Sequence, residues 1–240
     1  MTNHKLYSTL EFDSWSKREG LLAQESYFLK KYITDPTLSI LEAGTGGGRI
    51  SHALERTGCN DLHAFDYVAE MIEAAKIKHP ESLINFFVAD AVDLNSISSD
   101  KFDRLIYLQQ IISFIPRKET EKALKEAYRI LKSEGIAIFS FLNWHGRKIN
   151  PLLSLGINII RRLRNEPYQK QALPWLKINN RPNWKLSDKN QPLTYWFEKN
   201  EIQNLLETIG FTLIEIKMSS DFVRSRSDGM LYIVCRKEAL

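Results

Sequence analysis

The chain has 240 residues, of which 43% are apolar and 26% charged, with a formal net charge of +4; that length suits one domain with room for a sizeable insertion, and that apolar share supports a buried core and excludes a disordered chain. No apolar run approaches the ~20 residues a membrane-spanning helix needs, and the N-terminus lacks the charged-then-apolar pattern of a secretion signal, so a cytoplasmic location is expected. Cys59 and Cys235 lie far apart without a paired spacing, which predicts reduced, buried thiols and argues against a disulfide framework or a cysteine zinc site, so no metal is expected.

In chain order, residues Asp13 to Ile33 are helix-prone, with Trp15, Leu21, Leu22, Phe28 and Leu29 as apolar positions and Asp35-Pro36 as the stop. From Leu38 to Leu142 strand-like and helix-like segments alternate, which demands a parallel sheet with helices on both faces. Ile40-Leu41-Glu42-Ala43 reads as a buried strand ending near an acidic residue, then breaking into Gly44-Thr45-Gly46-Gly47-Gly48-Arg49 at the start of a helix. Glycines there let backbone pass close to a ligand and accept positive φ, and a helix start offers free N–H groups to an anionic group. The cofactor class follows from the details. A dinucleotide fingerprint starting at Gly44 would place its third glycine at Arg49, and the Gly-Lys-Ser/Thr of a P-loop is absent.

About 20 residues on, where α/β nucleotide folds place a ribose acid, Leu62 to Asp66 reads as a second strand ending in a carboxylate. A third strand, Ile84 to Val88, runs into Asp90-Ala91, and Phe102-Asp103 opens a fourth that leads to Gln109-Gln110. Ala123, Leu124, Ala127, Tyr128 and Leu131 mark one face of a helix, and Ile136 to Phe141 forms a fifth strand. Regular alternation then stops. Residues 144 to 196 hold four of the five tryptophans and five of the eight prolines, with ten basic residues against two acidic, a local +8 that leaves the rest of the chain at −4. Such asymmetry predicts a distinct surface with its own partner. Order returns with a helix from Glu198 to Ile209, capped by Gly210, and with strands Phe211 to Ile216 and Leu231 to Cys235.

The pattern E-x-G-x-G-x-G from Glu42, the run Asp66-Tyr67-Val68-Ala69-Glu70-Met71, the Asp90-Ala91 corner and the Phe102-Asp103 strand opening together resemble the class I S-adenosylmethionine (SAM) dependent methyltransferases over roughly residues 38 to 142. The chain departs from the family at Val68, where a small polar residue is usual, and at Ser133-Glu134, where Pro-Gly is common. The resemblance implies an α/β, doubly wound, mostly parallel seven-stranded sheet in the order 3-2-1-4-5-7-6, with helices on both faces. It further implies one methyltransferase domain over residues 1–240, with 144–196 inserted as a substrate cap.

By the same resemblance, Gly44, Gly46 and Gly48 let the loop approach the amino-acid half of SAM, and Glu42 shapes that loop or reaches the sulfonium side through water. Asp66 would accept the ribose hydroxyls, and Tyr67 and Met71 would sandwich the adenine. Asp90 would take the exocyclic amine, Ala91 would donate a backbone N–H, and Gln109 would stand beside the methyl group. His145, directly after strand five, is the candidate general base, needed only if the acceptor starts protonated; Arg18 could meet the SAM carboxylate. The expected activity is methylation of an O or N atom of a small molecule.

The segment Leu152 to Arg164 interleaves leucine and isoleucine with Arg161, Arg162 and Arg164. It reads as a lid over an apolar pocket, as an interfacial helix on anionic lipid with a lipid or quinone headgroup as acceptor, or as a patch facing RNA phosphates. Against the last, no recognised RNA module accompanies it. A non-catalytic SAM-fold binding protein is the reading from another class, whereas Gln109-Gln110 stands where aminopropyl transferases resembling this fold carry an acid. Oligomeric state is left open.

Overall fold

A computed structural model of the chain describes residues 3–146, 151–165, 170–175, 177–178, 181–183, 193–222 and 228–239. Seven strands form one sheet: β1 (Ser39–Ala43), β2 (Asp61–Asp66), β3 (Asn85–Val88), β4 (Phe102–Tyr107), β5 (Leu131–Leu142), β6 (Phe211–Met218) and β7 (Met230–Lys237). Their spatial order is 3-2-1-4-5-7-6, the order expected from the sequence. β1 is central and parallel to both neighbours, with Ile40 opposite Leu62 on β2 and Arg104 on β4. β7 runs antiparallel between β5 and β6, pairing Tyr232 with Ser140 and with Lys217.

The sheet is buried on both faces because successive side chains of each strand point to opposite sides. Leu41 and Ala43 join Leu105, Tyr107 and Phe139 in one core. Ile40 joins Ile106, Ile138 and Val234 in the other. Among the described residues the longer helices are α1 (Ala23–Tyr32), α2 (Arg49–Glu55), α3 (Ala69–Lys78), α4 (Arg117–Ile130), α5 (Pro151–Leu163) and α6 (Lys199–Ile209). α4 shows how periodicity selects a face: Ala123, Leu124, Ala127 and Ile130 are all inaccessible to solvent against the first core. α1 packs Phe28 and Leu29 into the second.

Three boundaries differ from the sequence expectation. The single helix expected over 13–33 is two, Phe12–Ser16 and α1, because Gly20 takes φ of +69° between them. β5 begins at Leu131 rather than Ile136, directly after α4, and Glu134 adopts φ of +61° where the family commonly places glycine. The third is the segment 144–196, whose described residues form α5 followed by short antiparallel pairs, 172–174 with 193–195 and 177–178 with 181–182. Arg161, read as part of a basic surface, is instead buried and donates from Nη1 to the Ala172 carbonyl at 2.8 Å; Arg162 and Arg164 are exposed. Of the expected segment from Leu152 to Arg164, the side chains of 152–154 lie outside the described residues, as do Glu166, Lys185, Asp188 and Lys189. No helix among the described residues is long and apolar enough to cross a membrane.

Candidate functional site

The carboxyl ends of β1, β2, β3 and β4 open onto one cavity of about 300 Å³, at the lower end of the range for small-ligand pockets. This is where ligands gather in an open α/β sheet. Gly44, Gly46, Asp66, Tyr67, Met71, Asp90, Ala91 and Gln109 all line it.

The turn after β1 is built for close backbone approach. Gly44 and Gly46 take φ of +65° and +54°, and a Cβ on Gly44 would stand 2.0 Å from the Ile111 side chain. The Gly46 amide donates to Oδ2 of Asp66 at 3.0 Å, and the Val68 amide donates to Oδ1 at 3.0 Å. An ionised carboxylate has about four acceptor positions, so acceptor capacity remains on Asp66 beside these amides. Burial pushes the Asp66 carboxyl above its ordinary value, opposed by the Val68, Gly46 and Tyr67 amides. Tyr67 is partly exposed at the rim, with the His4 ring edge-on at 5.3 Å. Met71 is buried on α3. Asp90 is exposed and accepts the Val92 amide on Oδ1 at 3.1 Å. Gln109 is buried where β4 ends, and the next residue, Gln110, turns the chain at φ of +55°.

Four residues singled out from the sequence lie off the cavity lining. Gly48 does not line the cavity: it caps α2 at φ of +79°, and a Cβ there would meet the Phe86 ring at 2.9 Å and the His79 ring at 3.4 Å. Its glycine is required by packing beneath the loop. Glu42 is buried behind the cavity lining; Oε2 accepts from the Thr45 hydroxyl at 2.8 Å, the Ser51 amide at 3.0 Å and the Ser51 hydroxyl. Glu42 thus holds the turn to α2, and burial raises its carboxyl to about 7. His145 is exposed and off the cavity lining. Asn143 fixes that turn, donating from Nδ2 to the Asp228 carbonyl at 2.7 Å and accepting the His145 amide on Oδ1 at 3.4 Å, so the chain turns away before His145. Arg18 also lies off the lining, over the Trp15 ring at 5.3 Å.

The cavity has walls that the sequence did not signal. Asn3, His4, Tyr7 and Trp15 come from the short helical turns before α1, and Ile111, Phe114 and Glu119 from the segment after β4. Asn3 donates from Nδ2 to the carbonyls of Phe114 and Leu193 at 2.9 and 3.2 Å, which ties the N-terminal turns to the cap. Phe114 stacks on Trp175 of the cap at 5.3 Å, and Tyr7 meets both rings edge-on. Arg49, where a dinucleotide fold would need glycine, is buried and pairs with both oxygens of Glu25 at 2.6 and 2.5 Å, anchoring α1 against α2. Trp15 carries a buried indole N–H without a protein partner at the cavity wall. Among the described residues no group of three or more His, Cys, Asp or Glu side chains is placed to hold a metal.

Comparison with known proteins agrees with this geometry. Residues 41–139 match the family model described as a methyltransferase domain. A SAM-dependent methyltransferase from Methanosarcina mazei superposes with a TM-score of 0.68 at 16% identity, covering 89% of this chain and 98% of that one. Magnesium protoporphyrin IX methyltransferase from Synechocystis PCC 6803, solved with bound SAH, gives 0.64 at 17% identity over 98% of each chain. The cyclase SpnF gives 0.68 at 13% identity, covering 100% of this chain and 98% of that one, so the fold alone does not fix the reaction. No curated protein sequence matches significantly. The match to a methyltransferase domain thus falls on residues 41–139, and the solved structures share the Rossmann-like fold around it.

Proposed function

We propose that this methyltransferase domain binds SAM in the cavity at the strand tips and transfers its methyl group to an O or N atom of a small-molecule acceptor. The observation that carries the reading is the convergence of Gly44, Gly46, Asp66, Asp90 and Gln109 on that one cavity. SAM supplies a methyl group activated by its sulfonium.

The residues bind, orient and exclude water. Asp66 uses its remaining acceptor capacity for the ribose hydroxyls, a task for a carboxylate already oriented by Gly46 and Val68. Tyr67 and Met71 flank the adenine, Asp90 accepts its exocyclic amine, and Ala91 presents a backbone N–H. Gly44 and Gly46 admit the amino-acid half, and the Trp15 indole offers a donor there. Gln109 faces the entrance shared with Ile111, Phe114 and Glu119, where the acceptor lies. Alignment of the acceptor with the methyl group supplies part of the acceleration, up to roughly 7–11 kcal/mol in favourable intramolecular cases.

Incubating the protein with isotopically labelled methyl donor and a metabolite extract tests this reading, with the product identified by mass. The expected result is label on an oxygen or nitrogen of a small molecule. Label confined to RNA, or no transfer to any acceptor while SAM binds, would contradict it.

A further inference from the structure

The outer face of α5 has no role in the cofactor cavity, yet it carries four of the eleven large apolar side chains that are exposed among the described residues: Leu155, Ile159, Ile160 and Leu163, at 57%, 50%, 37% and 79% exposure. At about 100° per residue, Leu155, Ile159 and Leu163 fall within roughly 80° of arc, and Ile160 extends it to roughly 140°. Arg162 stands about 20° beyond one edge and Arg164 about 40° beyond the other; both are exposed. The inward arc holds Ile157, Asn158 and Arg161, all buried.

An apolar centre with arginines on both shoulders is the layout of a helix lying in the plane of a lipid interface. Arginine stems cover apolar surface while their heads stay among polar groups. We infer that the outer face of α5 docks the chain on an anionic lipid surface. Charge complementarity selects this occupant. Arg162 and Arg164 flank this face and residues 151–165 contain no acidic residue, so packing it on a second copy would bring arginines towards arginines. The exposed apolar side chains of α5 are aliphatic, whereas single-stranded nucleic acid is held by aromatic stacking. The docked helix connects to the cavity wall through Arg161 and the Ala172 carbonyl, then through Trp175 on Phe114. The inference stands independently of the cofactor assignment.

Co-sedimentation of the full chain with vesicles tests it, using phosphatidylcholine alone and phosphatidylcholine mixed with phosphatidylglycerol. Binding is expected only to the mixed vesicles, weakening with salt. Ile159→Glu should weaken it by about tenfold or more, and Arg162→Gln by about fivefold. Because Ile159 faces solvent, an unchanged thermal midpoint should show that the variant folds. The inference is overturned if wild type ignores the mixed vesicles, or if Ile159→Glu binds them like wild type. A dimer in light scattering that Ile159→Glu dissociates, without vesicle binding, would assign the face to a second copy. Retention on RNA without vesicle binding would likewise overturn it.

Discussion

The Gly46 amide donates to Asp66 Oδ2 at 3.0 Å, so the turn after β1 and the tip of β2 form one unit. The bond leaves acceptor positions of Asp66 available to the cavity and fixes their direction. Glycine and carboxylate, 20 positions apart in sequence, build the same wall.

Asp66→Ala removes that carboxylate and frees the turn. Affinity for SAM or its demethylated product should fall about tenfold or more, or at least about 1.4 kcal/mol. Calorimetry checks it. Because burial raises the Asp66 carboxyl, wild-type affinity should decline on acidification at a pH above that of an ordinary aspartate, as the proton displaces the charge that accepts the hydroxyls. Asp66→Asn should lose this component of the pH profile.

Two glycines of the same loop should respond differently. Gly46→Val places a branched side chain at φ of +54° against the Trp15 backbone, which forms part of the cavity wall. It should abolish cofactor binding while the chain stays folded, with a thermal midpoint lowered by roughly 2–8 °C. Gly48→Ala points its methyl at Phe86 and His79 instead. It should lower the midpoint yet leave affinity within about threefold, less than 1 kcal/mol. Calorimetry beside thermal melts separates the two.

Glu42 gives a pH signature in stability. Its folded value of about 7 exceeds the ordinary 4.5. Between those two values the folded chain holds a proton that the unfolded chain has released, so stability falls as pH rises across that window. The full effect is roughly 3 kcal/mol. Glu42→Gln should flatten this part of the stability profile, as read by denaturant melts from pH 4.5 to 7.5.

Arg49 and Glu25 form a buried, doubly bonded pair. Arg49→Ala leaves the Glu25 charge buried without its partner and should cost about 3–5 kcal/mol. Arg49→Lys should recover only part, since an ammonium cannot make the fork of two parallel bonds. Urea melts of the three proteins check the order.

The sequence made the sheet legible because its strands end in punctuation: apolar runs closing on Glu42, on Asp66 and, just beyond β3, on Asp90. Those three tips, with Gln109 after β4, bring Gly44, Gly46, Asp66 and Asp90 to one rim. Gly48 looked like part of the same approach, yet what requires its glycine is the Phe86 ring from a strand nearly forty residues away, which no local pattern reveals. His145 read as substrate-facing because it follows strand five closely; the turn held by Asn143 leaves it on the outside. The N-terminal wall is not legible because Asn3, His4 and Tyr7 sit on short turns with no helical period to detect, and Trp15 reads as an apolar helix position with no sign that it reaches the cavity. Trp175 was visible as part of a tryptophan-rich cap, but its contact with Phe114 depends on tertiary packing alone.

A crystal structure of the chain with the demethylated cofactor tests the central claim most directly. The ribose hydroxyls should lie within hydrogen-bonding distance of both Asp66 oxygens, with the adenine between Tyr67 and Met71 and beside Asp90. An adenosyl group seated outside this cavity, or no density for it at saturating ligand, would contradict the account.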